Sequence, residues 1–362
     1  KWLQPKNMFL GDNSLSGANN QTSPPPLEQR LVSYLSTRLP KAKDISISGL
    51  TQATEGLSYE TYLFQASWRQ GGKKMSQGYA VRLQPLWGPV PPYDVEPQFR
   101  ILQSLYGTEV PVPRVFWMEK DPGILGAPFF IMEKVDGEIP LPWKSARSSY
   151  NDPAQRELMS REIVRVLAAL HTMDWKARGI DFLAPPASAT GHAQREIKRW
   201  EAIQKENEYL AEPILAEAYG WLKAHIPRAP RTTLVHGDYR VGNFIWRENR
   251  IAAFLDWEMA ALGDPLSDIG WMCMKVFQGH TGKVNGLMDR DEFLSSYEKL
   301  SGIHPDSESV LWWEVFGYVK LVAILSAGLR AYIDGRRDDV RLAIFEFDAL
   351  SHLNLLAQTL GF

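Results

Sequence analysis

Two polar runs separated by a short strand-like interval constrain this chain more than anything else in it. The first is Leu234-Val-His236-Gly-Asp238-Tyr-Arg240-Val-Gly-Asn243, and the second is Phe254-Leu-Asp256-Trp-Glu258. Asp256 stands thirteen residues beyond Asn243. A fold that uses both runs must bend the chain back on itself, so that two aspartates and an asparagine share one cavity. That set suits phosphoryl transfer, which needs a carboxylate to orient the attacking hydroxyl, a cation near the migrating charge, and hard oxygen ligands for magnesium.

The residue types assign the roles. Asp238 is expected to accept a hydrogen bond from the acceptor hydroxyl and to take its proton late. Arg240 is expected to meet the γ-phosphate oxygens, where charge spreads in a loose transition state. Asn243 and Asp256 offer one neutral and one anionic oxygen, a pair suited to Mg²⁺. His236 reads as a packed scaffold residue rather than a base, because buried polar groups find partners.

The spacing D-x-[K/R]-x-x-N followed by a later Asp is that of the protein-kinase catalytic loop. Together with Leu262-Gly-Asp264-Pro265-Leu-Ser-Asp268-Ile-Gly, the runs resemble the aminoglycoside phosphotransferase and choline kinase superfamily. Thr172-Met-Asp174-Trp175 and Val110-Pro-Val-Pro113-Arg-Val are similar, more narrowly, to kinase domains associated with acyl-CoA dehydrogenases. The resemblance spans about Ile45 to Ile333. It implies an α+β, protein-kinase-like two-lobe fold, with a small antiparallel β-sheet lobe and a mostly helical lobe. It also implies ATP and Mg²⁺ as cofactors, and Asp268 as a brace of the catalytic loop.

Composition agrees with an enzyme of this kind. The chain has 362 residues, 44% of them hydrophobic and 23% charged, with a formal net charge of -2. A length of this order buries a large core. Near neutrality, without basic runs interleaved with aromatics, gives a nucleic-acid groove no electrostatic basis. The single cysteine, Cys273, excludes an internal disulfide and points to a reducing compartment, so a cytoplasmic location is expected. No apolar run is read as reaching the roughly 20 residues that span a bilayer. The expected partners are a small-molecule hydroxyl acceptor and, at most, a second copy; no nucleic acid and no membrane.

Residues 1–26 are polar and turn-rich and read as a flexible tail. Residues 27–135 read as the nucleotide-binding lobe. A short helix over 27–39 precedes β-rich runs at Ile45–Ser48, Tyr59–Phe64 and Tyr79–Leu83. Gly56 and Ser58 lie where the family places its cover over the nucleotide phosphates. In Ala80-Val81-Arg82 the outer side chains share one strand face, so Ala80 can lie beside adenine while Arg82 reaches phosphate. The following helix, about Asp94 to Tyr106, is expected to supply an acid to that cation. The family position holds Gln98, and Glu96 is the candidate nearby. The backbone around Glu133 and Val135 is expected to form the hinge that hydrogen-bonds adenine.

Residues 136–362 read as the helical lobe carrying the catalytic loop and the acceptor site. Met159, Ile163, Val166, Leu167 and Leu170 form an apolar stripe at helical spacing. His171 reads as a helix-end cap. Further helices are expected near 193–225, 291–300, 308–332 and 340–360. Glu258 reads as structural, and most tryptophans as core, with some able to line an apolar cleft. From Asn151 onward 29 acids face 24 bases, an excess too mild to demand a polycationic acceptor. A hydroxyacyl-CoA or related hydroxy-acid derivative is the favoured acceptor by resemblance. An antibiotic kinase and a nucleotide-binding pseudokinase are the alternatives, and a two-carboxylate hydrolase leaves Asn243 and Arg240 unexplained.

Overall fold

The computed structural model describes residues 25–53, 58–139, 152–208, 212–279 and 281–362. Gly56 and nearly all of the expected tail lie outside the described residues. The chain opens with α1 (Leu27–Arg38), then β1 (Lys43–Gln52), β2 (Glu60–Gln70) and β3 (Lys73–Leu83). Next come α2 (Val95–Leu105), β4 (Val115–Glu119), the one-turn α3 (Pro122–Leu125) and β5 (Phe129–Glu133). The five strands pair antiparallel in the order β1-β2-β3-β5-β4. The strands run longer than their apolar text suggests, because Arg69–Lys74 closes the β2–β3 hairpin with exposed polar residues that carry no burial pattern.

Period-2 alternation divides this sheet between two cores. Tyr79, Val81 and Leu83 of β3, with Phe129 and Ile131 of β5, pack outward against Leu31, Tyr34 and Leu35 of α1. Ala80, Phe130 and Met132 point the other way, into the main core shared with α2 and the helical lobe. Arg82 follows Ala80 on that inner face, which aims a cation at the cleft between the lobes.

The helical lobe contains α4 (Pro153–Thr172), α5 (Gly191–Asn207) and α6 (Pro213–Ala224). Asp152 caps α4 by accepting the Ala154 amide, with Pro153 at the first position, where a missing N–H costs nothing. The short strands β6 (Thr233–Val235), β7 (Phe244–Arg247), β8 (Arg250–Phe254) and β9 (Ala261–Gly263) follow. After them come α7 (Leu266–Cys273), α8 (Arg290–Ser301), α9 (Ser307–Ile333) and α10 (Phe345–Leu360). The expected helix over 193–225 is two helices, α5 ending at Asn207 and α6 restarting at Pro213.

One expectation is corrected. α9 is long and apolar enough to cross a membrane by composition, and 78% of its apolar window is buried inside this molecule. It packs against α5, α6, α7 and α10, so its uniform apolarity is that of a helix buried on all sides. Gly270 of α7 lets that packing close: a Cβ there would stand 2.4 Å from the Cβ of Trp313 on α9.

Candidate active site

Strands β6 and β9 pair through Thr233↔Gly263 and Val235↔Ala261. This places the loop after β6 directly against Met259. Gly237 has φ +80°, and a Cβ there would lie 2.5 Å from the Met259 carbonyl oxygen. Only glycine fits both the conformation and the contact. The buried Asp268 carboxylate, at the start of α7, accepts the His236 amide at 2.8 Å through Oδ2 and the Gly237 amide at 2.8 Å through Oδ1. Its Oδ2 also lies 3.2 Å from His171 Nε2, whose Nδ1 is 2.8 Å from the Tyr297 hydroxyl. Burial pushes the Asp268 carboxyl up, and the hydrogen bond and charge of His171 outweigh it, leaving the group below its ordinary value. His171 is therefore no helix cap: it is fully buried and holds the acid that holds the loop.

His236 is scaffold in its geometry. Its Nδ1 accepts the Asp238 amide at 3.1 Å and its Nε2 lies 2.9 Å from the Leu255 carbonyl. Burial lowers its pKa, consistent with a neutral ring that accepts on one nitrogen and donates from the other.

The Asp238 carboxylate is gripped on both oxygens. Oδ1 accepts from Trp271 Nε1 at 2.8 Å and Arg240 Nε at 2.9 Å. Oδ2 accepts from Asn243 Nδ2 at 2.8 Å and Arg240 Nε at 3.2 Å. The Asn243 amide nitrogen also donates to the Asp238 carbonyl at 2.8 Å, which turns its Oδ1 away from the loop. That oxygen has no protein partner among the described residues. The β7–β8 hairpin then returns the chain through Phe244↔Phe254, and the Leu255 amide donates to the Asn243 carbonyl at 2.9 Å. Asp256 follows in the left-handed region, φ 68° and ψ 56°, an uncommon conformation for a non-glycine residue. The two separated polar runs do meet.

Arg82 spans the cleft. Its Nη2 donates to Asp256 Oδ1 at 2.5 Å, and its guanidinium stacks 4.4 Å from the Tyr59 ring centroid. Burial pushes Asp256 up, but the charge and hydrogen bond of Arg82 hold it below the ordinary carboxylate value. Glu96 does not join this pair, which corrects its assignment: it binds Lys120 on the outer side of α2. Residues two apart on a helix point about 200° apart, and Gln98 takes the inward face, 3% exposed. Sequence reasoning sought the partner of Arg82 on α2, whereas tertiary packing supplies it from the metal-candidate aspartate.

Glu258 lies beside the same cluster, facing Ser58. Burial, then the charge of Asp256, pushes its carboxyl up to about 8. Between its ordinary 4.5 and that value the folded protein holds a proton that the unfolded chain releases. The resulting stabilisation is present in full below 4.5 and is lost as pH rises through 8. In the ligand-free protein, Glu258→Gln is expected to gain Tm relative to wild type as pH rises from 5 to about 8 and to hold that gain above it. A Tm difference that stays constant over that range would show that Glu258 titrates elsewhere.

Several buried polar atoms here lack partners among the described residues, including Arg82 Nε and Glu258 Oε2. Such orphans cost free energy unless something polar occupies the cleft. At the hinge the Glu133 amide donates to the Arg114 carbonyl at 2.8 Å and Lys134 to Gly78 at 3.1 Å. The Val135 amide has no protein partner among the described residues.

Sequence reasoning did not find the far wall of the site. Behind Asp238, a narrow pocket is lined by His192, Glu196, Gly237, Met259, Trp271 and Lys320, among others. Trp271 is among the tryptophans expected mostly in the core with some lining a cleft; it lines this pocket, and its indole N–H is a direct partner of Asp238. Lys320, from the middle of α9, is 5% exposed, donates to the Gly237 carbonyl at 2.5 Å and lies 4.3 Å from the Trp271 ring. Only one signal could have found it, the single charge in the otherwise uncharged stretch Val315–Leu329 of a helix apolar enough for a core.

Residues 50–303 match the family model described as the phosphotransferase enzyme family. Among curated relatives, mouse acyl-CoA dehydrogenase family member 10 is 28% identical over 79% of this chain, and rat acyl-CoA dehydrogenase family member 11 is 26% identical over 84%. The matches cover 27% and 39% of those proteins, so the chain spans well under half their length. A solved Ralstonia eutropha protein, provisionally assigned as an aminoglycoside phosphotransferase, is 26% identical with a TM-score of 0.69, covering 91% of this chain and 97% of that one. With the kinase-like two-lobe fold and the loop geometry above, the chain belongs to the phosphotransferase enzyme family, whose members transfer phosphate to hydroxyl groups.

Proposed function

We propose that this protein is an ATP- and Mg²⁺-dependent kinase of a small hydroxyl-bearing molecule, with a hydroxyacyl-CoA or related hydroxy-acid derivative as its favoured acceptor. The observation that carries the reading is the convergence of Asp238, Asn243, Asp256 and Arg82 on one cleft. The free Asn243 carbonyl oxygen and the Asp256 carboxylate are hard donors of the kind Mg²⁺ takes. When bound, the metal neutralises charge on the nucleotide phosphates. Arg82, now paired with Asp256, would exchange part of that contact for phosphate oxygens, which suits a guanidinium. The unpaired Val135 amide would meet the adenine edge, and Ala80 would lie against its face.

Asp238 would accept the acceptor's O–H. A bond forms from that oxygen to the γ-phosphorus, the bond to the departing ADP oxygen breaks, and the proton passes to the carboxylate late in the transfer. Arg240 holds the carboxylate in place through Nε, and its outer nitrogens remain for the migrating phosphoryl group. Four protein hydrogen bonds leave Asp238 little rotational freedom, which is how positioning lowers a barrier.

The acceptor assignment draws support from the dehydrogenase relatives, whose name implies acyl-CoA chemistry. A second reading, an antibiotic kinase, draws on the name of the Ralstonia relative and on the Glu196 carboxylate near the pocket. Incubating the protein with MgATP and separate panels of hydroxyacyl-CoA esters, hydroxy acids and aminoglycosides distinguishes them. ADP release is expected with the first two panels. Turnover confined to aminoglycosides would reject the acceptor assignment, and nucleotide binding without turnover of anything would favour a pseudokinase.

A further inference from the structure

A buried ammonium is costly unless it is compensated, and Lys320 is compensated only in part. Its Nζ donates to one oxygen, the Gly237 carbonyl, and faces the indole rings of Trp271 at 4.3 Å and Trp200 at 5.8 Å. No carboxylate among the described residues lies within ion-pairing distance of it. Glu196 and Asp238 act on it through space, as do Arg199 and Asp268, and burial leaves its pKa below the ordinary lysine value. Two of its three N–H donors are therefore without an oxygen acceptor among the described residues.

These donors border the pocket behind Asp238, which has about 20 Å³ of water-accessible room. That is the space of one water and too little for a sugar ring. Only a small group can enter, and the unfilled donors of Lys320 invite an electron-rich oxygen, although Glu196 lines the same pocket. Lys320 reaches the carbonyl of Gly237, the residue before Asp238, so an oxygen bound at Nζ would sit close to the reacting hydroxyl.

We infer that Lys320 is a specificity-determining residue that binds a carbonyl or carboxylate oxygen of the acceptor, a few bonds from the hydroxyl that is phosphorylated. This inference rests on the kinase reading above and deepens it.

The test compares a 4-hydroxyacyl-CoA, the free 4-hydroxy acid, and a hydroxyl-bearing thioether analogue of the CoA ester that lacks the carbonyl. A hydrogen bond to a charged donor corresponds to a preference of about 10–100-fold, so wild-type kcat/KM is expected to favour the carbonyl-bearing acceptor over the thioether by that factor. Lys320→Met is expected to reduce the preference to within about threefold, mainly through KM. Lys320→Arg should retain part of it, since it keeps the charge. Preference for the thioester or for the free acid identifies which source supplies the oxygen.

Equal losses by Lys320→Met on carbonyl and thioether acceptors would show that Lys320 only supports the Gly237 carbonyl, and would overturn the inference. If Lys320→Met does not fold, the wild-type comparison still decides, because equal turnover of thioester and thioether overturns it alone. Turnover of aminoglycosides only, or of nothing, would instead remove the reading beneath it.

Discussion

Asp238→Ala is expected to lower kcat by about 10²–10⁴-fold, the range that a positioned general base contributes, while leaving nucleotide affinity within about threefold. Asp238 makes no contact with the hinge or with Arg82, and Asn243 keeps its bond to the Asp238 backbone carbonyl, so its loss acts mainly on the acceptor side. The substitution also leaves Trp271 Nε1, Arg240 Nε and one Asn243 donor contact without their shared carboxylate. Arg240 is then free to swing toward phosphate, so residual turnover should come from phosphate stabilisation by the remaining groups. ADP release in steady state, with calorimetric titration of MgATP, separates the two effects. A variant retaining more than a tenth of wild-type kcat would show that Asp238 does not orient the hydroxyl. A variant that no longer binds MgATP would show that the loop has collapsed instead.

The second large effect is structural. Asp268→Ala is expected to cost about 3–5 kcal/mol, because it leaves two buried backbone N–H groups and the His171 ring without their common acceptor. In a chain of this size that corresponds to a Tm lower by about 5–10 °C. The damage should not stop at stability. The amides that Asp268 holds belong to His236 and Gly237, and the next residue is Asp238, so kcat should fall even at temperatures where the variant stays folded. Asp268→Asn keeps one acceptor oxygen and is expected to fall between alanine and wild type in both measurements. Thermal unfolding followed by circular dichroism, with initial rates taken well below the transition, tests both halves. Loss of stability with full kcat would assign Asp268 to packing alone.

Much of the site was legible before any fold was known, because catalytic-loop chemistry is local. Gly237, Asp238, Arg240 and Asn243 lie within seven consecutive positions, and one tight turn brings them together. Asp256 is local as well, since a single β-hairpin returns it to Asn243. The lobes were legible through periodicity: alternation on β3 and β5, and the apolar stripe on α4. Where patterning misled, the cause was a competing principle. Glu96 is close to Gln98 in the text, but helix geometry turns it outward. His171 sits in the last turn of α4, where a cap is expected, yet the depth of α4 in the core makes it a buried link between Tyr297 and Asp268. The apolar length of α9 satisfies a bilayer and a protein interior equally, and only its packing decides between them.

What the sequence by itself determined is the chemistry at short range: which side chains share a loop, which strand face carries Ala80 and Arg82, and where an aspartate follows a hairpin. These depend on backbone geometry over a few residues, and that geometry is periodic and therefore readable. The tertiary structure alone decided the long-range pairs. Arg82 meets Asp256 across 174 positions, Trp271 meets Asp238 across 33, and Lys320 meets Gly237 across 83. No spacing rule specifies such pairs, because they form only when separate helices and strands bury their apolar faces against one another and so set which polar groups must find each other.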